Sequence, residues 1–222
     1  MNVAEALLER KSVRAFTDAP VPKEQVQKIL NVARCAPSGV NTQPWQVAVV
    51  MGDAKQRLQD EMVAAANAGE KSSIEYQYYP GEWRDPYKSR RKACGLLMYS
   101  TLGITREDTE RQKAQWFANY RAFDAPVMLL FFIDSDLAEG SFMDYGMFLQ
   151  SIMLAAVDQG LATCPQAALA EYPHIVKKQL GYDESVTLLC GMALGYEDKA
   201  ALVNSYRTPR EDIGAFTRIF DE

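Results

Sequence analysis

Residues 127–133 read Val-Met-Leu-Leu-Phe-Phe-Ile, an uninterrupted apolar run bounded by Pro126 and Asp134. Such a run is typical of a strand that is buried on both faces, so we expect it at the centre of a sheet. Two other short segments, Trp45 to Met51 and Thr187 to Leu194, are rich in β-branched and apolar residues. They predict two further strands, and the earlier of the two is also expected to be buried.

Helical periodicity surrounds these strands. Four helices are predicted: Asn2 to Glu9, a second that begins near Pro22, a third from Asp53 to about Ala68, and a fourth from Asp144 to Gly160. The second carries an apolar face of Val26, Ile29, Leu30 and Ala33. The fourth is the most hydrophobic and is expected to be buried nearly all round. A mainly helical excursion is predicted between residues 70 and 120. Helices and strands in this order favour an α+β fold built in layers over a regular βαβ series.

Length and composition restrict the class of protein. A chain of 222 residues predicts a single domain over residues 1–222, and the formal charge of -5 argues against nucleic acid and anionic membranes as partners. There is no run of 18 apolar residues and no apolar signal core at the N-terminus, so we expect a cytoplasmic protein. The cysteines lack metal-ligand spacing and predict reduced, buried thiols and no metal site. A nucleophilic Cys164 with the only histidine, His174, as its base is a weak competing interpretation.

Three distant segments suit a flat, anionic ligand. Arg10 to Arg14 (RKSVR) and Asn204 to Arg210 (NSYRTPR) are basic, and arginine binds phosphate oxygens through two parallel hydrogen bonds. Between them, Ala36 to Trp45 (APSGVNTQPW) is a turn whose carboxamides both donate and accept, as a pyrimidine-like ring edge requires. Taken singly, a solvated charged face and an ordinary connecting loop remain the alternatives.

Two of these motifs, read together as Arg10 to Phe16 followed by Ala36 to Trp45, resemble the FMN-dependent nitroreductase family. The resemblance continues through Gly160 to Gln166 and Gly191 to Tyr196, ends at Arg207, and is weakest between residues 70 and 120. It implies a three-layer sandwich in which helices flank a central mixed, mostly antiparallel sheet. It further implies a homodimer with FMN at the subunit interface, where a C-terminal arm, residues 205–222, packs on the partner subunit.

The resemblance also implies which residues bind FMN. The phosphate and ribityl chain would be held by Arg10, Lys11 and Ser12, with Arg207 closing on the phosphate and Arg14 near the pyrimidine end of the ring. The other subunit would line the same flavin with Pro37, Ser38, Gly39, Asn41 and Gln43. Near flavin N5 would lie Pro165, Gln166 and Ala167. The chain departs from the family pattern at Ser205, where many relatives have Lys, and after Pro165, where many have Glu-Gly.

The implied activity is a ping-pong hydride relay, in which NAD(P)H reduces the flavin and a nitroaromatic, quinone or related acceptor then reoxidises it. No side chain is required as a general acid, and Arg14 would stabilise the reduced, anionic flavin. A reductive dehalogenase, a flavin-consuming enzyme, a flavin-binding protein without turnover and a cofactor-free α+β binding domain remain alternatives. The aromatic stretch Tyr76 to Tyr87 could form a lid over aromatic substrates or pack the helical excursion. Its basic neighbours Arg84, Lys88, Arg90 and Arg91 could favour an acidic substrate or be merely solvated.

Overall fold

The computed structural model describes residues 1–221. Its helices are α1 (Val3–Glu9), α2 (Lys23–Ala33), α3 (Gly52–Asn67), α4 (Tyr87–Thr101), α5 (Thr109–Phe117), α6 (Glu139–Asp158) and α7 (Pro173–Leu180). Its strands are β1 (Gln46–Met51), β2 (Val127–Asp134), β3 (Ala162–Gln166) and β4 (Val186–Gly195). Within residues 1–221, no helix is both long and apolar enough to cross a membrane.

The four strands form one sheet in the order β1-β2-β4-β3, and every neighbouring pair is antiparallel. The mixed character comes from an isolated parallel bridge between Ser12 and Thr163, which attaches the N-terminal segment to β3. The central position predicted for β2 is confirmed. The prediction of a buried β1 is wrong, because β1 is an edge strand on which Gln46 and Val49 are exposed.

Alternate residues of β2 point into two separate hydrophobic clusters, which explains its uninterrupted apolar run. On one face, Val127, Leu129, Phe131 and Ile133 pack with residues of α2 and α6, among them Ile29 and Ile152. On the other, Met128, Leu130 and Phe132 pack with residues of α3 and α7, among them Leu58 and Val176. The sheet is therefore sandwiched between two helical layers, as the resemblance implies.

Helix α6 departs from its prediction in two ways. It begins at Glu139, five positions before the predicted Asp144, and it is not buried all round. Met143 is 75% exposed and Met147 is 40% exposed. The helix therefore has apolar residues on a second face that the rest of the described chain does not cover, and packing on the sheet does not account for all of its hydrophobic residues.

Candidate functional site

The N-terminal basic segment is held against the edge of the sheet. Besides the Ser12–Thr163 bridge, the backbone N–H of Val13 donates to the carbonyl of Thr163 at 3.0 Å. The buried side chain of Asn204 accepts from the N–H of Arg14 and donates to the carbonyl of Ala15, each at 2.8 Å. These bonds bring the two ends of the chain together beside β3.

Three arginines converge there without a neutralising carboxylate. Arg207 donates to the backbone carbonyl of Arg10 at 2.6 Å. Burial, followed by the positive charges of Arg210 and Arg207, lowers the pKa of the Arg10 guanidinium. None of the three takes part in an ion pair with an acidic residue of the described chain. Because like charges that approach this closely repel, the cluster is suited to an anion that binds between its members.

The other two basic residues of the segment are already engaged. Lys11 forms an ion pair with Glu197 at 2.7 Å, and its ammonium also donates to the carbonyl of Asn204 at 2.6 Å. Arg14 turns its guanidinium towards the carbonyl of Ser12 and the hydroxyl of Tyr206, at 3.3 and 3.4 Å. Lys11 therefore contributes less free charge to an anion than its place in the motif predicts.

The polar turn Ser38–Gln43 is built in a strained conformation. A single 3-10 turn covers Gly39–Asn41, and the hydroxyl of Ser38 accepts from the N–H of Gln43 at 2.9 Å. Three residues that are not glycine have positive φ values, Val40 at 44°, Asn41 at 60° and Gln43 at 50°. A left-handed conformation is costly for a β-branched residue, at about 1–3 kcal/mol, and such strain concentrates at functional sites.

Within one chain the turn does not meet the arginine cluster. The N–H of Gly39 donates to both carboxylate oxygens of Asp144, at 3.1 Å each, whereas Arg10 contacts Met153 of the same helix at 3.8 Å. Those two α6 residues are nine positions apart, which corresponds to about 13.5 Å along the helix axis. Asn41 and Gln43 are exposed, so the polar side chains of the turn face away from the protein that carries them.

The segment Pro165 to Ala167, the last of the predicted site segments, lies at and just beyond the end of β3. Pro165 is exposed, Ala167 is half-buried, and the buried Gln166 donates from Nε2 to the carbonyl and side-chain oxygens of Asn119, at 3.0 and 3.2 Å. The Oε1 atom of Gln166 is buried without a hydrogen-bond partner. The three residues border a cleft of about 560 Å³ whose other walls include aromatic residues, Tyr76, Phe142 and Tyr145.

Gly191 of β4 shapes this end of the sheet, because a Cβ atom there would lie 2.5 Å from Cδ1 of Leu169. The motif Gly191 to Tyr196 belongs to the resemblance to the nitroreductase family, but the packing role of its glycine was not visible in the sequence. Asn204 and Asn119 were likewise given no role. For Asn204 the available signal was its place as the first residue of the C-terminal basic segment, whereas nothing in the sequence marked Asn119.

The structure argues against a thiol nucleophile. Burial raises the pKa of the Cys164 thiol to about 11, although Arg14 and a hydrogen bond with Ser12 oppose the rise. His174 contacts Glu70 at 3.1 Å instead of any cysteine. The prediction that all four thiols are buried is wrong for Cys35 and Cys94, which are exposed.

Comparison with known proteins gives a consistent result. The sequence model of the Nitroreductase family matches residues 7–196. A 4-nitrobenzoate reductase from Pseudomonas putida is 39% identical over 208 residues, which cover 94% of this chain and 91% of that protein. The crystal structure of the FMN and NADPH-dependent nitroreductase NfnB from sphigopyxis sp. strain HMH has a TM-score of 0.96 and 40% identity, with 100% of both chains covered. NfnB from Mycobacterium smegmatis, in complex with NADPH, has a TM-score of 0.92 and 34% identity, covering 99% of this chain and 100% of that one.

Proposed function

The chain belongs to the nitroreductase family, and on that premise we propose that it is an FMN-dependent oxidoreductase. It takes electrons from NAD(P)H and passes them to a nitroaromatic, a quinone or a related small acceptor. Residues 1–222 act as a single domain. The relatives reported above, which are named as nitroreductases or described as FMN and NADPH-dependent, support this assignment.

The observation that carries the proposal is the unneutralised cluster of Arg10, Arg207 and Arg210, which lies where the N-terminal segment is bound to β3. A phosphate monoester carries nearly two negative charges and three acceptor oxygens, which matches converging guanidinium groups. We therefore assign the FMN phosphate to these arginines. Ser12 and the backbone around it would meet the ribityl chain, with Lys11 supporting the segment through Glu197.

FMN, once bound, supplies the hydride chemistry of the reaction. The chain's residues orient that cofactor and set its electrostatics. Arg14 presents a permanent positive charge, and its guanidinium is held by Ser12 and Tyr206 without an acidic partner among residues 1–221. Preorganised positive charge stabilises a negative charge that develops nearby. Pro165, Gln166 and Ala167 would form the wall against which the flat ring lies.

We also propose that the active enzyme is a homodimer whose subunits share each flavin. The turn Ser38–Gln43 is strained, exposed and distant from the arginines of its own chain, so its hydrogen-bonding groups would serve the site of the other subunit, together with Pro37. The C-terminal arm carries four exposed apolar residues, Ile213, Phe216, Ile219 and Phe220. Apolar groups on an extended terminal segment favour packing on a partner subunit.

The free thiols of all four cysteines are consistent with a reducing compartment, and we propose a cytoplasmic location. Cell fractionation of the native host with an antibody against the chain would test it. Recovery of the protein in an oxidising compartment would contradict the assignment.

The test of function begins with purified protein reconstituted with FMN. NADH or NADPH added without oxygen should bleach the flavin absorbance near 450 nm, and a nitroaromatic or a quinone should restore it. A bound flavin that neither nicotinamide reduces would identify a binding protein without turnover. Dehalogenation of a halogenated phenol in the absence of nitro reduction would favour the dehalogenase alternative.

A shared site can be tested by complementation between two defective variants. Arg10→Ala/Arg207→Ala removes the phosphate contacts, and Asn41→Gly/Gln43→Gly removes the side chains of the turn without adding backbone strain. After subunit exchange in an equal mixture, half the dimers should be heterodimers with one intact site each, so about a quarter of all sites should bind FMN. If the turn serves its own subunit, the mixture will bind no more FMN than the average of the separate variants.

A further inference from the structure

A second basic surface borders a cavity of about 680 Å³ between α4, α5 and the N-terminal segment. Three of its cations, Lys88, Arg91 and Lys92, lie on one face of α4 because they are spaced three and four positions apart. The other two are Arg14, from the proposed flavin site, and Arg106, from the loop before α5. Acidic residues are missing from the cavity lining within residues 1–221.

These cations are also free of ion pairs in the described chain. Arg90, on a different face of α4, pairs with Glu211 at 3.0 Å and does not line the cavity. Asp85, one turn before Lys88, accepts a hydrogen bond from the hydroxyl of Ser89 at 2.5 Å and also lies outside the lining. The guanidinium carbon of Arg91 lies 5.3 Å from the ring centre of Trp83, which steadies that side chain without neutralising it.

The arrangement is unfavourable for the helix that carries it. Lys88 and Lys92 are like charges four residues apart, and Lys88 lies in the first turn of α4, where the helix dipole disfavours cations. The first turn contains no acidic residue that would compensate. The binding of an anion in the cavity would relieve this repulsion.

The rest of the lining suits an aromatic group. Trp116 is half exposed at the cavity, and Met98, Tyr99 and Phe123 add apolar or aromatic surface. A cavity of this size with apolar walls and a few directed polar groups is typical of a small-molecule site. The arginines assigned to the FMN phosphate do not line the cavity, whereas Arg14, which is placed near the flavin ring, does.

We propose that this cavity binds the negatively charged substituent of the electron acceptor, so that the enzyme selects aromatic nitro compounds bearing a carboxylate over neutral ones. The inference rests on the proposed function, because the ligand is the acceptor of that reaction. Arg14 links the two sites, since it borders the cavity and belongs to the proposed flavin site. Lys88, Arg91, Lys92 and Arg106 then act as specificity-determining residues that hold the acidic end of the acceptor.

The experiment compares two acceptors of nearly equal shape, 4-nitrobenzoate and 4-nitrobenzamide, with the FMN-loaded protein. The ratio of their kcat/KM values should favour the carboxylate, and it should fall as ionic strength rises. In Lys88→Gln/Lys92→Gln the ratio should drop about tenfold, since two charge-assisted contacts are lost. The matched control, Arg84→Gln/Arg90→Gln, removes the same charge outside the cavity and should keep the ratio of the wild type.

Calorimetric titration with benzoate and its neutral counterpart benzamide measures the same site without turnover. Benzoate should bind more tightly than benzamide, and Lys88→Gln/Lys92→Gln should abolish the difference. Thermal unfolding should show that this variant is at least as stable as the wild type, because it removes repulsion within α4.

Several results would overturn the inference. An unchanged ratio in Lys88→Gln/Lys92→Gln would do so, as would equal binding of benzoate and benzamide by the wild type. If Lys88→Gln/Lys92→Gln changes the ratio of activity with NADPH to activity with NADH, the cations bind the phosphate of the electron donor. If this variant loses FMN, they bind the cofactor. Reduction of neither acceptor by the wild type would contradict the proposed function instead, while the benzoate titration would still decide whether the cavity binds anions.

Discussion

The side-chain oxygen of Asn204 accepts a hydrogen bond from the backbone N–H of Arg14 at 2.8 Å, although 190 positions separate the two residues. The side-chain amide of Asn204 also donates to the carbonyls of Ala15 and Asp198, at 2.8 and 2.9 Å. One buried side chain thereby joins the N-terminal basic segment to the C-terminal one. The position of the arginine cluster depends on this residue as much as on the arginines themselves.

Replacing Asn204 with alanine should destabilise the protein by about 2–4 kcal/mol, because three backbone groups lose their partners in a buried place. Urea unfolding measures the loss, and FMN affinity should fall with it. Ser205→Ala is the matched control, since the exposed hydroxyl of Ser205 makes one hydrogen bond, to the carbonyl of Leu202. If both variants lose equal stability, Asn204 does not hold the two segments together.

Replacing Arg207 with alanine should weaken FMN binding by about 10- to 150-fold, which corresponds to the 1.5–3 kcal/mol of a charged hydrogen bond. Riboflavin lacks the phosphate, so its affinity should change much less. Fluorescence titration of the apoprotein with each flavin gives both values, with the exposed Arg57 of α3 replaced by alanine as a control. Parallel losses for the two flavins would show that Arg207 acts on the fold and not on the phosphate.

Replacing Gly191 with alanine should cost about 1–3 kcal/mol, because the added Cβ would lie 2.5 Å from Cδ1 of Leu169 and 3.0 Å from the carbonyl oxygen of Leu129. The displacement would reach the paired residue Gln166 at the end of β3 and reduce FMN occupancy. At Gly140 in α6 the same substitution meets no atom within 4 Å, so Gly140→Ala should be neutral or slightly stabilising. Thermal unfolding of both variants tests the difference.

We expect the stability of the folded protein to depend on pH through the carboxyl group of Glu171. Burial raises the pKa of its carboxyl group, against the opposing hydrogen bond that Tyr120 donates at 2.5 Å. The protonated form is therefore favoured by folding. Its contribution is complete below the pKa of the unfolded chain, about 4.3, and is lost as the pH rises through the folded pKa.

Glu171→Gln should consequently gain stability relative to the wild type as the pH rises from 4 to 7, because the wild type must ionise a half-buried carboxyl group. Urea unfolding at several pH values measures the gain. Tyr120→Phe removes the hydrogen bond that favours the carboxylate and should raise the pKa of Glu171 further. In that background the stability gain from Glu171→Gln should therefore extend to a higher pH. A constant difference between the wild type and Glu171→Gln at all pH values would contradict the assignment.

Prediction from sequence succeeded where a pattern is local and repeated. The central strand β2 was predicted because its residues pack into cores on both faces, and α2, α3 and β4 follow from equally regular spacing. The short strand β3, with sequence Ala-Thr-Cys-Pro-Gln, was missed. It contains a proline and little apolar periodicity, and its strand character comes from pairing with β4.

The candidate site divides in the same way. The residue types of the basic segments and of the polar turn were enough to indicate a phosphate-bearing, flat cofactor, because guanidinium and carboxamide chemistry is carried by each side chain. Their partners were not predictable. These partners are set by contacts between residues distant in sequence or on different faces of one helix. Lys11 pairs with Glu197, and the backbone of Arg14 is bound by Asn204. Lys88 faces a cavity, whereas Arg90 faces Glu211.

The amino-acid order alone thus determined the apolar strand, the amphipathic helices and the side-chain chemistry of the basic segments and the polar turn, since these depend on residue type and on spacing within one segment. Only the folded chain revealed which charges are neutralised, which backbone is strained and which glycine has no room for a Cβ atom. Those properties depend on distances between segments, and in this protein a single sheet brings together residues from both ends of the chain.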